Sequence, residues 1–421
     1  MRVAVLHLDL RNSETTKDPN AGLEEAVSLT AALPDLTIVH SEVVTLRTVK
    51  AGTLLGAGKL DDLSALIEDQ EIGLVIIDGV VSPIQQRNLE RQLKVKILDR
   101  TGLILEIFGE RAQTREGVLQ VELAALQYAR SRLVRSWTHL ERQRGGLGFV
   151  GGAGETQIEA DRRAIDDAIV RLKRQLEKVV KTRKLHRAAR KKVPFPIVAL
   201  VGYTNAGKST LFNRLTGAKV LEKDMLFATL DPTMRLVELP DGQRVILSDT
   251  VGFISDLPTQ LIAAFRATLE EVLDADLILH IRDIAHRDTE AQAENVRQIL
   301  AELEVEEAVQ DNSLEVWNKA DLLGDEDRRS AQNTVDRSDN ILLVSALKEA
   351  GFEALLAAID TRLRGRVFEE TVRLGFAEGA RRAWLYGHNL VQNEVSSDSF
   401  VELSVRWNEK QKQQFATIES K

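Results

Sequence analysis

The sequence predicts an α/β protein. Its centre reads as a mixed, mostly parallel sheet with helices on both faces, preceded by a small α/β unit with a long helical hairpin and followed by a small α+β unit. Three observations carry that reading. A continuous apolar run, Ile197–Val201, enters a glycine-bearing loop that leads straight into a helical pattern. Short apolar runs alternate with helical patterns over residues 1 to about 110. Two proline-free stretches, 114–140 and 156–191, keep apolar residues at helical spacing.

In the first unit, residues 1–112, the runs Val3–Leu8, Thr37–Val44, Gly73–Asp78 and Val95–Asp99 read as strands. Glu24–Leu33, Leu60–Glu68 and Ser82–Leu93 read as helices between them. Such alternation suits a mostly parallel sheet. Leu54-Leu55-Gly56-Ala57-Gly58-Lys59-Leu60 resembles a phosphate loop, but Thr53 stands where the first glycine belongs. Leu60 stands where a magnesium-binding hydroxyl is required, so the segment reads as a strand-to-helix turn.

Residues 113–192 read as an antiparallel helical hairpin. Val118, Val121, Leu126 and Leu133 line its first helix, and Ile158, Ile165, Ile169, Leu172, Leu176 and Val179 its second. At ~1.5 Å per residue the second helix is roughly 50 Å long. The whole chain has a net charge of −8, yet residues 130–192 hold 18 Lys/Arg against 7 Asp/Glu, which leaves −19 for the rest. That asymmetry marks a surface for a polyanion on an acidic body, the plainer alternative being a solvated helix of mixed charge. The link between the helices runs Gly145-Gly146-Leu147-Gly148-Phe149-Val150-Gly151-Gly152-Ala153-Gly154, six glycines in ten uncharged residues. A bare helix–helix turn needs only about 2–8 residues. The link is either a plain connector or a tip that inserts into a crowded partner, with the basic flanks holding phosphates.

The central domain, residues 193–365, carries the chemistry. Gly202-Tyr203-Thr204-Asn205-Ala206-Gly207-Lys208-Ser209-Thr210 lies between the strand and a helical Leu211-Phe212-Asn213-Arg214-Leu215. Strand, loop and helix in that order are the context of a Walker A phosphate loop. Its backbone N–H groups curl around the α/β-phosphates, and the helix N-terminus adds its positive dipole end. Lys208 is placed for the β/γ-phosphates and the Ser209 hydroxyl for Mg2+. About forty residues on, a strand Arg244–Asp249 ends in Asp249-Thr250-Val251-Gly252. Asp249 fits the carboxylate that holds Mg2+ through water, and the Gly252 N–H can meet the γ-phosphate.

Asn318-Lys319-Ala320-Asp321 follows a strand Leu314–Trp317 and selects the base. A carboxylate at Asp321 accepts from N1–H and the N2 amine of guanine, and adenine would leave it desolvated and unpaired. Lys319 would lie along the base, and Asn318 would brace the phosphate loop. Ser345-Ala346-Leu347, after Ile341–Val344, fits the loop whose backbone N–H meets guanine O6. Between these motifs, Phe227-Ala228-Thr229-Leu230-Asp231-Pro232-Thr233 offers a threonine to complete magnesium coordination, Thr229 in preference to Thr233. The combination predicts a Mg2+-dependent P-loop GTPase domain with Lys208, Thr229 and Gly252 as catalytic candidates. Phe253 stands where many GTPases carry a water-orienting Gln, so intrinsic hydrolysis is expected to be slow until a partner supplies the missing positioning.

The C-terminal unit, residues 366–421, shows strand patterns at Glu369–Leu374, Asn389–Val395 and Ser399–Val405 and helical ones near Ala377–Tyr386 and Glu409–Ile418. It holds no catalytic constellation. The chain has no cysteine, which excludes disulfides and thiolate zinc sites. Its histidines show no metal-ligand spacing. No run of about 18 apolar residues argues for a membrane span, and the N-terminus lacks a signal-peptide pattern. A cytoplasmic, monomeric protein is expected.

The chain resembles the HflX family of ribosome-associated GTPases. The resemblance is carried by Ser82-Pro83-Ile84-Gln85-Gln86-Arg87-Asn88-Leu89, Asp99-Arg100-Thr101, Thr114-Arg115-Glu116-Gly117 and Gly154-Glu155-Thr156-Gln157-Ile158-Glu159. Phe227–Thr233 and Asp249–Phe253 belong to the same pattern. The resemblance implies GTP-favoured binding to the large ribosomal subunit, with the hairpin reaching toward 23S-type rRNA near the peptidyl transferase centre. It further implies dissociation of stalled or idle ribosomes under stress, with hydrolysis stimulated by the ribosome. Gly145, Gly146, Gly148, Phe149, Gly151, Gly152 and Gly154 are then the contacting tip, although Phe149–Gly154 departs from the basic residue and proline of many relatives. Three other readings compete: a GTPase of large-subunit assembly or rRNA maturation, a tRNA-modifying GTPase, and a small-molecule module whose hairpin merely dimerises.

Overall fold

The computed structural model describes residues 1–10, 18–143, 153–190, 195–217, 227, 233–254, 272–273, 275–302, 313–364, 367–388, 390–397, 400–416 and 418. The chain divides into two compact units, Met1–Val237 with Val245–Gly351, and Glu238–Arg244 with Phe352–Lys421.

The first unit holds two sheets. Strands β1 (Arg2–Leu10), β2 (Thr37–Leu46), β3 (Leu74–Asp78) and β4 (Lys96–Asp99) form a four-stranded sheet in the order β2-β1-β3-β4, parallel throughout. β3 reads Leu-Val-Ile-Ile-Asp and is buried at every position, as a parallel strand covered on both faces must be. Helices α1 (Pro19–Ala31) and α4 (Arg100–Arg111) pack on one face, with Leu29, Leu103 and Phe108 in a core with Val3, Val5 and Ile76. Helices α2 (Ala57–Asp69) and α3 (Pro83–Leu93) cover the other, with Leu63 and Leu89 against Leu6 and Ile77. Local signals set the helix starts. Asp18 caps α1 ahead of Pro19, and Ser82 forms a reciprocal capping box with Gln85.

α1 therefore begins five residues before the apolar pattern suggests. The lookalike phosphate loop is a turn: Leu54 takes φ 65°, Gly56 precedes α2, and Lys59 is spent on Glu42 at 2.7 Å. Helix α4 has no counterpart in the sequence reading.

α5 (Arg115–Gln143) and α6 (Ala153–Arg190) are the two long helices, joined across by Arg130 and Asp166 at 2.7 Å. Since α6 begins at Ala153, Gly154 lies in its first turn rather than in the link. Gly145, Gly146, Gly148, Phe149, Gly151 and Gly152 lie outside the described residues.

The second sheet has six strands in the order β10-β9-β8-β5-β7-β6. They are β5 (Ile197–Gly202), β6 (Thr233–Glu238), β7 (Arg244–Asp249), β8 (Leu277–Asp283), β9 (Leu314–Asn318) and β10 (Ile341–Leu343). β7, β5, β8, β9 and β10 run parallel. Helices α7 (Lys208–Thr216), α8 (Thr289–Glu302) and α9 (Asp325–Val335) belong with it.

The second unit has α10 (Phe352–Arg364), an antiparallel sheet of order β11-β13-β12, and two more helices. Strands β11 (Val367–Gly375), β12 (Val391–Ser396) and β13 (Phe400–Asn408), with α11 (Gly379–Gly387) and α12 (Glu409–Ala416), enclose Leu385, Leu403, Val405, Trp407 and Phe415.

Candidate functional site

The carboxyl ends of β5, β7, β8 and β9 carry the sequence motifs, and one asparagine ties them together. β5 is buried from Val198 onward and ends at Gly202, after which the chain turns over Tyr203–Ala206 into α7. Gly207 takes φ 88°, and a Cβ there would lie 2.2 Å from the Asn318 amide nitrogen. Only glycine fits. Asn318 Nδ2 donates to the Ala206 carbonyl at 2.9 Å, and its Oδ1 accepts from the Ala346 N–H at 2.9 Å. The phosphate-loop motif, the Asn-Lys-Ala-Asp motif and the Ser-Ala-Leu loop are thus fixed to one another through a single buried side chain.

Lys208 is buried, and among the described residues its ammonium donates to the backbone carbonyls of Gly202 at 3.1 Å and Tyr203 at 2.7 Å. Burial pushes its pKa down to about 8, against the upward pull of the Asp249 charge. A cation left in a dry loop of backbone groups is a receptor for an anion. The Ser209 hydroxyl donates to Asp249 Oδ2 at 2.8 Å, and Asp249 is wholly buried. Two hard oxygen donors side by side next to a phosphate loop fit Mg2+, which binds through one or two protein oxygens plus phosphate and water. Thr210 lies in the first turn of α7. Ala228, Thr229, Leu230 and Asp231 lie outside the described residues.

Past Asp249, the Thr250 hydroxyl ties back to the Leu200 carbonyl at 2.6 Å. The chain then pairs with the phosphate loop. Phe253 N–H donates to the Gly202 carbonyl at 3.1 Å, and its own carbonyl accepts from Thr204 N–H at 2.7 Å. Gly252 sits so close that a Cβ would fall 2.8 Å from Thr204 Cγ2 and 3.0 Å from Lys208 Nζ. The Phe253 ring is 2% exposed and shares a core with Tyr203, Phe227, Val251 and Ile254. It is an anchor for this segment and has no means of orienting water.

At the base end, Lys319 takes φ 63° and its ammonium pairs with Asp283 at 2.8 Å. Asp283 ends β8 and belongs to none of the sequence motifs; its signal in the sequence is a carboxylate closing a buried strand beside the one that ends in Asn318. Ser345 Oγ donates to Asp321 Oδ1 at 2.5 Å and accepts from Lys348 N–H, which holds the carboxylate in place. The Ala346 amide, one candidate for guanine O6, is taken by Asn318, and the neighbouring Leu347 amide stands in an exposed turn.

The chain matches family models along most of its length. Residues 20–109 match the GTP-binding GTPase N-terminal model, and 111–190 the GTP-binding GTPase middle region. Residues 197–319 match the 50S ribosome-binding GTPase model, and 330–417 the HflX C-terminal domain. It is 49% identical over 383 residues to the GTPase HflX of Magnetococcus marinus, covering 91% of this chain and 87% of that one. The chain belongs to the HflX family. The HflX GTPase of Escherichia coli is 44% identical over 371 residues, 87% of this chain and 86% of its own. Among solved structures, the crystal structure of SsGBP with GDP is similar in fold, with a TM-score of 0.51 at 24% identity, covering 86% of this chain and 98% of that one. As an HflX-family member, the chain is a P-loop GTP hydrolase with its nucleotide domain flanked by smaller domains. No helix among its described residues is long and apolar enough to cross a membrane.

Proposed function

We propose that this chain binds Mg2+ and GTP at the β5–β9 edge, docks in that state on the large ribosomal subunit, and dissociates stalled or idle ribosomes in the cytoplasm before hydrolysis releases it. The observation that carries the reading is the union, in one compact unit, of the Asn318-braced nucleotide edge with the long α5–α6 hairpin. The match of residues 197–319 to a 50S ribosome-binding GTPase model supports the partner.

Within the site, the backbone of residues 202–207 and Lys208 bind the phosphates, the loop through its amides and Lys208 through a charge that its burial strengthens. Ser209 and Asp249 hold Mg2+, which when bound neutralises charge on the β- and γ-phosphate oxygens. Thr229 completes that coordination. Asp321, steadied by Ser345, selects guanine, and Asp283 keeps Lys319 beside it. The Gly252 N–H would meet the γ-phosphate, and binding it bears on the Phe253–Gly202 and Phe253–Thr204 hydrogen bonds that hold this segment against the phosphate loop. GDP makes no such contact, and that difference separates the two nucleotide states. Because Phe253 is buried, the attacking water is positioned by the ribosome or by the rearranged segment. Partner-supplied groups contribute ~10³–10⁵ in rate in comparable GTPases. The hairpin tip, Gly145–Gly154, reads the rRNA while its basic flanks hold phosphates.

The test is GTP turnover by the purified chain with and without large ribosomal subunits, beside a variant lacking Gly145–Gly154. Stimulation of about 10²-fold or more that vanishes with the deletion is expected. Equal turnover in all four arms refutes the ribosome switch and leaves a bare GTPase. Preference for immature over intact subunits would favour the assembly reading.

A further inference from the structure

In doubly wound sheets, ligands bind beyond the carboxyl ends of the strands where the strand order reverses. The first sheet reverses between β1 and β3, but its own side chains close that edge. His7 near the end of β1 bonds Asp78 at the end of β3 at 2.6 Å. Arg100 bridges Asp78 at 2.6 Å and Glu25 of α1 at 2.9 Å.

One strand over, a second knot forms around Asp99, the last residue of β4 and itself buried. Its Oδ1 accepts from the Gly102 N–H at 2.9 Å, capping α4, and also from the Tyr128 hydroxyl of α5. Its Oδ2 accepts from Arg132 Nη2 at 2.5 Å. Arg132 donates as well to Gln86 of α3 and to the Val81 carbonyl, and its guanidinium lies 4.3 Å from the Tyr128 ring centroid. Tyr128 and Arg132 are four residues apart and therefore share a helix face. One carboxylate thus ends a strand, starts one helix and grips another. Gln86 and Asp99 lie in two stretches, Ser82–Leu89 and Asp99–Thr101, that nucleotide chemistry leaves without a role.

We infer that Asp99, Arg132 and Tyr128 are positioning residues that seat the α5–α6 hairpin on the carboxyl edge of the first sheet, and so set where its tip points. The inference rests on the reading that the hairpin engages the ribosome. Eleven helical residues follow Arg132 to Gln143, the end of α5, and at ~1.5 Å each they span about 16 Å. A seat loosened by ~10° displaces that end by about 3 Å. An ungripped hairpin samples more directions, and that orientational freedom is then lost on docking, which weakens binding without touching the chemistry.

The test uses the full chain as Arg132→Met, Arg132→Lys and the gentler Tyr128→Phe. GTP turnover alone, turnover against large-subunit concentration, and deuterium exchange of the α5 amides are measured for each. In Arg132→Met, turnover alone stays within twofold, and the maximal stimulated rate is kept. The subunit concentration for half-maximal stimulation rises tenfold or more, and α5 exchanges faster. Arg132→Lys recovers part of both effects, and Tyr128→Phe gives a smaller shift of the same kind. An unchanged half-saturating concentration alongside faster exchange overturns the positioning role, and unchanged exchange overturns the seat itself. If the unaltered chain shows no stimulation by large subunits, the ribosome reading fails, and the seat is then decided by the exchange alone.

Discussion

At the carboxyl end of the six-stranded sheet, β5 gives way to a glycine-bearing loop, and among the described residues the buried Lys208 donates to the Gly202 and Tyr203 carbonyls. At the same end of the four-stranded sheet, β3 and β4 finish in Asp78 and Asp99, and each carboxylate is filled by an arginine. The two sheets share parallel strands and helices on their faces, yet one leaves its charge for a ligand while the other spends it on its own helices. What separates them is the end of β5, Gly202, against the ends of β3 and β4, Asp78 and Asp99. A glycine leaves backbone donors facing open space, whereas a carboxylate fills that space and calls for a cation.

The largest expected effect tests the ligand edge. Asp321→Ala removes the acceptor for guanine N1–H and N2–H₂, and the preference for GTP over ATP should collapse by about 10⁴-fold. Competition binding reads this directly; preserved discrimination would move base selection elsewhere. The next tests the closed edge. Arg100→Met leaves Asp78 buried without its strong partner and should cost about 3–5 kcal/mol of stability, seen in denaturant unfolding. Burial works to raise the Asp78 pKa, but the His7 hydrogen bond and the Arg100 charge outweigh it and hold it below the usual carboxylate value. The Asp78 contribution is therefore full above about pH 4 and is lost as pH falls through the depressed folded value. An Asp78→Asn variant should be less stable near neutrality and approach the parent in acid.

The smallest effect concerns Lys208. With its pKa pushed down to about 8 in the free chain, the lysine is mostly neutral at pH 9. Bound phosphates restore the proton, so nucleotide affinity should fall by up to tenfold per unit as pH rises past about 8, and stay level below about 7. Isothermal titration in buffers of different ionisation heat measures the linked proton uptake. An affinity that stays level through pH 9 would mean Lys208 keeps its charge without nucleotide, and the contrast between the edges would narrow.

The ligand edge was legible because its chemistry is local in sequence: Gly202–Thr210, Asp249–Gly252 and Asn318–Asp321 each carry their meaning in a few adjacent residues. The closed edge was not, since His7, Asp78, Arg100 and Glu25 are scattered and only the sheet brings them together. Helix α4 escaped for a different reason. Gly102 through Leu105, Ile107 and Phe108 are all buried and only Glu106, Gly109 and Glu110 face solvent, so the polar face is narrow and the helical period is hard to see in so short an apolar run. Asp283 was invisible because its partner, Lys319, lies a strand away. Asn318 shows both sides of this: its motif is plain in the sequence, while its grip on Ala206 and Ala346 spans residues that only the fold brings together.

Helix α6 holds 38 residues, and such a rod has a phase as well as a length. At ~3.6 residues per turn each residue adds about 100° of rotation and ~1.5 Å of reach. Shortening both arms of the hairpin by seven residues would withdraw the tip by about 10 Å yet turn its face by only about 20°. Removing five would withdraw it less but swing the same face by about 140°. If the ribosome reads the tip's facing, the seven-residue variant should keep more function than the five-residue one, even though it falls further short. The hairpin would then be a keyed shaft, in which the angle at which the tip arrives counts as much as how far it reaches.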